Sequence, residues 1–363
     1  MRSIALVSGI IVLIIGIIVV LPRNEQSVIP PAQTANPSLT SPPSPSPTPT
    51  PLPEKVFLAN DYHVFQTFNN CGPAALSMML TYYDLSVSQK ELGDALRPYQ
   101  VPGGNNDDKS VTLDELEEKS KEYGLIPYHR PAGSLDKIRQ FLTAKIPVMT
   151  RTLLHADDDI GHYRIIKGYD DTTREFIQDD SLQGKNLRYL YGDYLALWKP
   201  YNYEYLVLVP KDKEPLARQI LGDELDEQTA WEHALSLAKN EQTTSDSFYP
   251  VLNESVALYH LGRYDDATKR FEAVESRLPF RTLWYQIEPI LAYQQLKNYD
   301  RVLALSDQIL HNYNRAFSEL YYIRGQVFEE KGESDQARSE YEKAVYYNKN
   351  FKPAEERLAQ LAQ

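Results

Sequence analysis

The stretch that decides the fold is QTFNNCGPAALSMMLTYYDL, residues 66–85. Cys71 is the only cysteine among 363 residues, and Gly72 and Pro73 follow it at the start of an apolar run. Proline is tolerated in the first turn of a helix, so we predict a helix over residues 71–85. A thiol at a helix N-terminus faces unpaired N–H groups and the positive end of the dipole, which favours the nucleophilic thiolate. Taken alone, the pattern also fits a buried, unreactive cysteine.

Three further residues give this cysteine possible partners. Gln66 lies five residues upstream, where its amide can donate a hydrogen bond to an oxyanion formed at Cys71. Downstream, GHYRIIKGYD (residues 161–170) places His162 at the opening of an apolar strand that can face the helix across a cleft. The returning strand, FIQD (176–179), ends at Asp179, which can accept a hydrogen bond from His162 and fix its tautomer.

These motifs, in this order, resemble cysteine peptidase family thirty-nine. It is a papain-fold family whose best-known members trim double-glycine leaders from bacteriocin precursors. The motifs are Gln66, Cys71-Gly72-Pro73-Ala74, Gly161-His162-Tyr163, Gly168-Tyr169-Asp170 and Asp179, with the closing YLALW at 194–198. The resemblance covers about residues 56–209 and implies a papain-like α+β peptidase domain, without a cofactor or metal.

The resemblance also implies roles for these residues in thiol-dependent cleavage of peptide bonds. Cys71 attacks the carbonyl, His162 takes and returns the proton, and Asp179 orients His162. Gln66 and the Cys71 backbone N–H hold the oxyanion. Family members often have proline after the aspartate, whereas Asp180 stands there in this chain. The choice between Asp179 and Asp180 therefore stays open, and we favour Asp179 because it sits at the predicted strand end.

The periodicity of residues 55–210 predicts helices first and strands afterwards. Capping-box patterns at 88–91 and 112–115 open two helices, and residues 135–144 form a further amphipathic helix. Strands are predicted over residues 146–153, 162–168, 176–178, 187–191 and 203–209. This order indicates an α+β domain with an antiparallel sheet. His63, His129 and His155 are other candidate bases, and the acidic runs 105–108 and 157–159 are interpreted as solvated loops rather than calcium sites.

Residues 216–363 form a second predicted domain with an internal repeat. Leu258, Tyr293 and Phe328 are spaced 35 apart, as are Ala267, Val302 and Ala337, and Phe271, Ser306 and Tyr341. This spacing resembles the tetratricopeptide repeat, a helix–turn–helix unit of about 34 residues. We therefore expect a short all-α solenoid that binds a protein partner, with unrelated helices as the alternative.

The N-terminal residues predict attachment to a membrane. Residues 4–21 are an unbroken run of low polarity, near the lower limit for crossing about 30 Å of hydrocarbon. We interpret residues 1–23 as an uncleaved transmembrane signal anchor, with a cleaved signal peptide as the alternative. Residues 24–54 are rich in proline, serine and threonine and predict a disordered linker. The expected localisation is a single-pass cell-membrane protein with both domains outside.

Composition excludes several other classes of protein. The formal net charge of -12 argues against a nucleic-acid partner. One cysteine excludes an intrachain disulfide framework and a cysteine-rich zinc site. The leading hypothesis is an outward-facing cysteine peptidase acting on a peptide or protein substrate. The alternatives are a scaffold that binds peptides without cutting them, and a papain-fold amidase or acyltransferase acting on the cell wall.

Overall fold

The computed structural model describes residues 51–101, 103–106, 111–243, 247–312 and 314–362. The strands are β1 Lys55–Phe57, β2 Ile126–Arg130, β3 Val148–Leu153, β4 Gly161–Asp170, β5 Glu175–Asp180, β6 Gly184–Leu190 and β7 Tyr205–Val209. The first helices are α1 Cys71–Leu80, α2 Gln89–Leu96, α3 Leu113–Lys121, α4 Leu135–Thr143, α5 Tyr191–Trp198 and α6 Glu214–Leu221. The later helices are α7 Glu227–Gln242, α8 Tyr249–His260, α9 Tyr264–Glu272, α10 Thr282–Tyr285, α11 Glu288–Gln295, α12 Tyr299–Asn312, α13 Ser318–Glu330, α14 Ser334–Tyr347 and α15 Lys352–Leu361.

The strands form an antiparallel sheet in the order β2-β7-β3-β4-β5-β6, and β1 pairs with β4. Both faces of this sheet are covered. On β7, Leu206 and Leu208 pack with α1, whereas Tyr205 and Val207 pack with α4 and α5 on the opposite side. Because successive side chains on a strand point to opposite faces, a central strand covered twice becomes the uninterrupted apolar run YLVLV.

Two strands have no counterpart among those predicted from the sequence. β1 follows the proline-rich stretch and has only three residues, which is too short to show an alternation of apolar and polar side chains. β2 reads IPYHR and lies at the edge of the sheet, where it pairs with β7. Pro127 cannot donate to a ladder, but an edge strand tolerates it, and the polar His129 and Arg130 hide the strand pattern.

The predicted helix start at Cys71 is found, but the helix is shorter than residues 71–85. α1 ends at Leu80, a 3-10 turn follows over Thr81–Tyr83, and Asp84 has a φ of 58°. Thr112 and Glu115 form the expected reciprocal capping box at α3. At α2, the side chain of Ser88 accepts a hydrogen bond from the Glu91 N–H.

The C-terminal region is helical and its repeat spacing matches successive helix pairs. α8 packs on α9, α11 on α12 and α13 on α14. Each pair turns through a left-handed residue at the same place in the 35-residue spacing, with a positive φ at Gly262, Lys297 and Gly332. In the last pair Gly325 lies against the ring of Tyr341, where an added Cβ would come within 2.4 Å of Cε1.

The predicted cell-membrane localisation is contradicted. Among the residues described from position 51 onward, no helix has both the length and the apolar character needed to cross a bilayer. The apolar run at residues 4–21 and the linker as far as residue 50 lie outside the described residues.

Candidate active site

Cys71 occupies the first turn of α1, at the end of a tight loop. The loop closes through a hydrogen bond from the Asn70 N–H to the Thr67 carbonyl (3.1 Å), and Asn69 has a φ of 55°. The Asn70 side chain does not cap the helix, because its amide donates to Thr67 Oγ1 instead (2.7 Å). The Asn70 side chain therefore does not offset the positive end of the α1 dipole at the thiol.

His162 lies one residue into β4 and is linked to Cys71. The residue is 2% exposed, and Nε2 lies 2.9 Å from Asp180 Oδ1. This leaves Nδ1 for the thiol of Cys71. Burial favours the neutral ring, but the hydrogen bonds to Asp180 and Cys71 outweigh it and raise the pKa of His162. The imidazole is thus placed to hold a proton between a thiolate and a carboxylate.

Asp180 is fully buried and accepts several hydrogen bonds. Its Oδ1 takes the ring N–H of His162 and the backbone N–H groups of Leu182 (2.7 Å) and Gln183 (2.9 Å). Its Oδ2 lies 3.1 Å from Nε of Arg164, which is also fully buried. Burial favours the neutral acid, but His162, Arg164 and the Gln183 N–H lower the pKa of Asp180 to about 2. The carboxylate is therefore ionised, and these contacts hold it beside His162.

Asp179, the predicted orienting residue, does not contact His162. Its Oδ2 accepts a hydrogen bond from Nζ of Lys167 (2.7 Å), and its Oδ1 accepts one from the Asn186 N–H (2.9 Å). Lys167 and Asp179 form a buried ion pair on the other face of the β4–β5 hairpin. The position predicted for Asp179 is therefore held by Asp180.

The physical reason is a β-bulge at Lys167. Near the hairpin turn Gly168 pairs with Ile177, whereas beyond Lys167 the partners are Ile166 with Gln178 and Arg164 with Asp180. Without the extra residue the first register would continue, and Asp179 would stand opposite Ile166, on the face that carries His162. One added residue moves a strand's side chains to the other face, so the bulge decides which of the two aspartates shares the face of His162.

Gln66 is tied to the same end of β5. Its backbone N–H donates to the Ser181 carbonyl (2.7 Å), and its Oε1 accepts a hydrogen bond from Ser181 Oγ (2.8 Å). With the amide oxygen engaged, the amide NH₂ remains as the donor that the side chain can offer elsewhere. Two consecutive residues at this end of β5 thus serve the site: Asp180 bonds the imidazole of His162, and Ser181 holds the amide of Gln66 that is predicted to bind an oxyanion.

The other candidate bases occupy different surroundings. Nε2 of His63 lies 2.9 Å from the Asp180 carbonyl oxygen, and His155 is exposed in the loop after β3. His129 contacts Asp114 (2.9 Å) and Glu204 (3.2 Å). Burial opposes protonation of His129, but these two carboxylates raise its pKa to about 10.

Asp114, Glu117 and His129 are the one group among the described residues whose side chains are close enough to share a metal ion. Both ring nitrogens of His129 face carboxylates, Nδ1 that of Asp114 and Nε2 that of Glu204, and His129 thus links two ion pairs. In the second acidic run, Asp159 pairs with Arg281 (2.6 Å).

The fold around Cys71 and His162 is of the thiol-peptidase type, and comparison with protein-family models gives the same class. Residues 57–206 match the model of the Peptidase_C39 like family. The papain-like α+β fold followed by a helical C-terminal region is thereby confirmed. A search of curated proteins gave no match.

The solved structures that this chain matches include three peptidases. A C39-like peptidase from Bacillus anthracis is 16% identical, covering 43% of this chain and 98% of that one, with a TM-score of 0.38. The peptidase domain of Streptococcus ComA, a bifunctional ABC transporter in a quorum-sensing pathway, is 18% identical over 41% of this chain and 97% of that one (TM-score 0.32). Xylellain, a cysteine protease from Xylella fastidiosa, is 14% identical over 44% and 87% (TM-score 0.34).

Sequence reasoning gave no role to Arg164, although it lies two residues after His162. In an alternating strand, a charged residue at that spacing shares the face of the histidine, and this was the available signal. The guanidinium donates to the carbonyls of Leu153 and Leu154 (both 2.7 Å), in addition to its contact with Asp180. Arg164 thus fastens the end of β5 to the loop after β3.

Proposed function

We propose that this protein is a thiol peptidase that hydrolyses peptide bonds with Cys71 as nucleophile, His162 as general base and acid, and Asp180 as the residue that orients His162. The observation that carries the proposal is the buried, hydrogen-bonded chain from Cys71 through His162 to Asp180. A nucleophile, a base within bonding reach and a third group that fixes the base are the requirements for covalent catalysis. The family match of residues 57–206 supports the same class of reaction.

The proposed reaction begins when Sγ of Cys71 attacks the carbonyl carbon of the substrate while its proton resides on His162. The tetrahedral oxyanion is held by the Cys71 N–H and the amide NH₂ of Gln66. His162 then gives the proton to the leaving nitrogen, the C–N bond breaks and a thioester remains. Water attacks the thioester while His162 takes one of its protons. The proton returns to sulfur as the acid product leaves.

Asp180 serves this cycle by fixing the imidazole. Its Oδ1 accepts from Nε2, which keeps that nitrogen protonated and leaves Nδ1 to exchange a proton with sulfur and with the leaving nitrogen. Its negative charge stabilises the imidazolium that forms when the thiol ionises. The two backbone N–H groups and Arg164 keep Asp180 ionised and fix its position.

We also propose two domains, residues 55–210 for peptidase chemistry and residues 216–363 as tetratricopeptide repeats that bind a protein partner. The left-handed residues at Gly262, Lys297 and Gly332 support the repeat because they place the same turn between successive helix pairs. The equivalent residues Ala267, Val302 and Ala337 are all fully buried, as close packing of such pairs requires.

The test is cleavage of a mixed peptide library by the full chain in the presence of a reducing agent. The products are read by mass spectrometry beside the Cys71→Ala variant. Cleavage that disappears in the variant supports the proposal, because no other thiol is present. Cleavage that persists in Cys71→Ala contradicts it. Binding of peptides by the native protein without any cleavage also contradicts it and favours a non-catalytic scaffold.

A further inference from the structure

An open pocket lies beside the loop that leads into Cys71. Its volume is about 390 Å³, which is within the range of sites that hold a small ligand. Residues 67–70 of the loop line one side of it, and α2 and the residues that follow as far as Tyr99 line the other. Asn70 is among the lining residues and directly precedes Cys71, so the pocket begins one residue from the proposed nucleophile.

Two aromatic side chains at this pocket are open to solvent. Phe68 is 78% exposed and Tyr99 is 67% exposed, and these are the two highest values for large apolar residues in the part of the chain that the structure describes. Phe65, in the same loop, is the third, with 63%. Large apolar side chains that are exposed together, rather than singly, mark a surface that binds a ligand or a partner.

The loop that carries Phe68 is held by α2. Gln89, the first residue of that helix, accepts a hydrogen bond from the Thr67 N–H (2.9 Å) and donates one to the Phe65 carbonyl (2.7 Å). The turn from Thr67 to Asn70 then closes through the hydrogen bond between their backbone groups. None of these bonds involves the Phe68 ring, so the loop conformation does not depend on that side chain.

The segment that carries Tyr99 is held by its own loop and by the helical region. Oδ1 of Asn106 accepts hydrogen bonds from the N–H groups of Gln100 (3.0 Å) and Val101 (2.7 Å). Oε1 of Gln100 accepts one from the Lys349 N–H (2.8 Å), at the turn between α14 and α15. The two aromatic residues are thus presented from two separately fixed segments.

The charged side chains at the pocket have partners of opposite charge. Lys90 pairs with Asp94 one turn further along α2. Arg97 pairs with Glu115 (2.8 Å) and with Glu319 of α13. Each of the three charged residues described at this pocket therefore has its charge balanced. The pocket offers aromatic surface to an uncharged occupant, and a charged side chain would lose hydration there without gaining a counter-ion.

The two proposed oxyanion donors lie at the two ends of this loop. Gln66 is two residues before Phe68, and Cys71 is three residues after it. Because a chain advances at most about 3.6 Å per residue, the Cα atoms of Phe68 and Cys71 are within about 11 Å of each other. A bound peptide advances by a similar step, so a side chain that meets Phe68 belongs to a residue within about three positions of the scissile bond.

We propose that Phe68 and Tyr99 form a binding site for an apolar side chain of the substrate, so that the peptidase selects peptides with a large apolar residue near the scissile bond. This inference rests on the proposed function, because the occupant is the peptide whose carbonyl the two oxyanion donors hold. Binding covers two rings that are otherwise in contact with water, and the removal of this apolar surface from water supplies the selectivity.

The experiment maps cleavage of a peptide library that varies three positions on either side of the scissile bond. We expect the full native chain to prefer a large apolar residue at one of these positions. Phe68→Ala should lower kcat/KM for the preferred peptide, relative to the same peptide with serine there, by about 10-fold or more, as the loss of apolar contacts in a pocket does. Phe68→Leu keeps an apolar side chain and should retain most of the preference. Phe57→Ala is the matched control, since Phe57 is 51% exposed and lies on β1, outside this pocket.

A second measurement, of binding without cleavage, separates the inference from the proposed function. In Cys71→Ala, fluorescence polarisation gives the Kd of labelled library peptides that carry a large apolar residue or serine at each position. We expect the ratio of the two Kd values to shrink several-fold when Phe68→Ala or Tyr99→Ala is added, and to be unchanged when Phe57→Ala is added. Thermal unfolding of each variant checks that the fold is retained.

The outcomes are distinct. Cleavage that is insensitive to Cys71→Ala removes the proposed function, and the Kd ratio then tests the pocket by itself. Cleavage that depends on Cys71 but shows no apolar preference, or the same preference in native protein, Phe68→Ala and Tyr99→Ala, overturns the inference alone. If Phe68→Ala fails to fold, Tyr99→Ala tests the other wall of the pocket, and a native preference and Kd ratio there overturn the inference.

Discussion

The two faces of the β4–β5 hairpin each bury a carboxylate beside a cation, yet only one is connected to the thiol. On one face Asp180 lies between Arg164 and His162, and on the other Asp179 pairs with Lys167. Both carboxylates are buried, both pair with a cation and both lie on β5. The difference is the imidazole: only Asp180 is joined through His162 to Cys71, and this path is why we propose Asp180, rather than Asp179, as the orienting carboxylate.

The largest expected effect comes from removing His162, the middle residue of the hydrogen-bonded path from Cys71 to Asp180. His162→Ala removes the group that takes the proton from Cys71, and general acid–base catalysis contributes about 10²- to 10⁴-fold. We expect a loss of this size in kcat/KM and a marked fall in the rate of Cys71 alkylation at pH 7. His155→Ala is the control, because His155 is exposed in a loop. Equal reactivity of Cys71 in both variants would contradict the proposed base.

On the opposite face, Asp179→Asn should lower the free energy of unfolding and leave the rate of peptide cleavage unchanged. It leaves Lys167 buried without its partner, which costs about 3–5 kcal/mol in the free energy of unfolding. The folded fraction should cleave peptides at the native rate. Urea denaturation gives the first quantity, and active-site titration followed by turnover gives the second.

The double variant Lys167→Met/Asp179→Leu sharpens this result. Replacing both members of a buried ion pair by apolar side chains is often nearly neutral, so the double variant should recover most of the stability lost in Asp179→Asn. A loss of turnover in folded Asp179→Asn would mean that this aspartate, not Asp180, serves the site.

Asp180→Asn tests the proposed role of Asp180 through its effect on turnover. A hydrogen bond to a charged group contributes about 1.5–3 kcal/mol, so we expect kcat/KM per folded molecule to fall about 10- to 10²-fold. Because Asp180 helps raise the pKa of His162, its removal should lower that pKa. The imidazolium is lost as pH rises through this pKa.

The alkaline limb of the pH profile should therefore move to lower pH in Asp180→Asn. The pH dependence of kcat/KM for peptide cleavage between pH 5 and 10 measures it, because the imidazolium must protonate the leaving nitrogen, and Asp179→Asn is the matched control with an unchanged profile. An identical alkaline limb in native protein and Asp180→Asn would show that Asp180 does not act through His162.

The smallest expected effect is on stability in acid. The pKa of Asp180 is lowered from 3.8 to about 2, so its contribution is present above pH 4 and is lost as pH falls through about 2. This pKa change corresponds to about 2 kcal/mol in the free energy of unfolding. Urea denaturation at pH 7, 4 and 2.5 should show a steeper acid loss in native protein than in Asp180→Asn. Parallel curves would contradict this origin of acid sensitivity.

Much of the fold could be predicted because it depends on local pattern. The helix that begins at Cys71 follows from Pro73 and the apolar run, and the 35-residue spacing anticipated the helix pairs with Gly262, Lys297 and Gly332 in their turns. Such features need only neighbouring residues or adjacent helices. The edge strand β2 escaped prediction because its partner β7 is about eighty residues away, and Pro127 masks its pattern.

By itself, the sequence determined the nucleophile, the histidine and the amide as candidates, since their residue types and order are visible in one chain. Only the tertiary structure shows that Asp180, rather than Asp179, lies within hydrogen-bond distance of His162. Which aspartate shares the face of His162 depends on the bulge at Lys167, and strand register is set by pairing across space rather than by the residues of one strand. The pocket between Phe68 and Tyr99 was likewise decided by folding. Gln100, next to Tyr99, is bonded to Lys349, which lies 249 residues further along the chain.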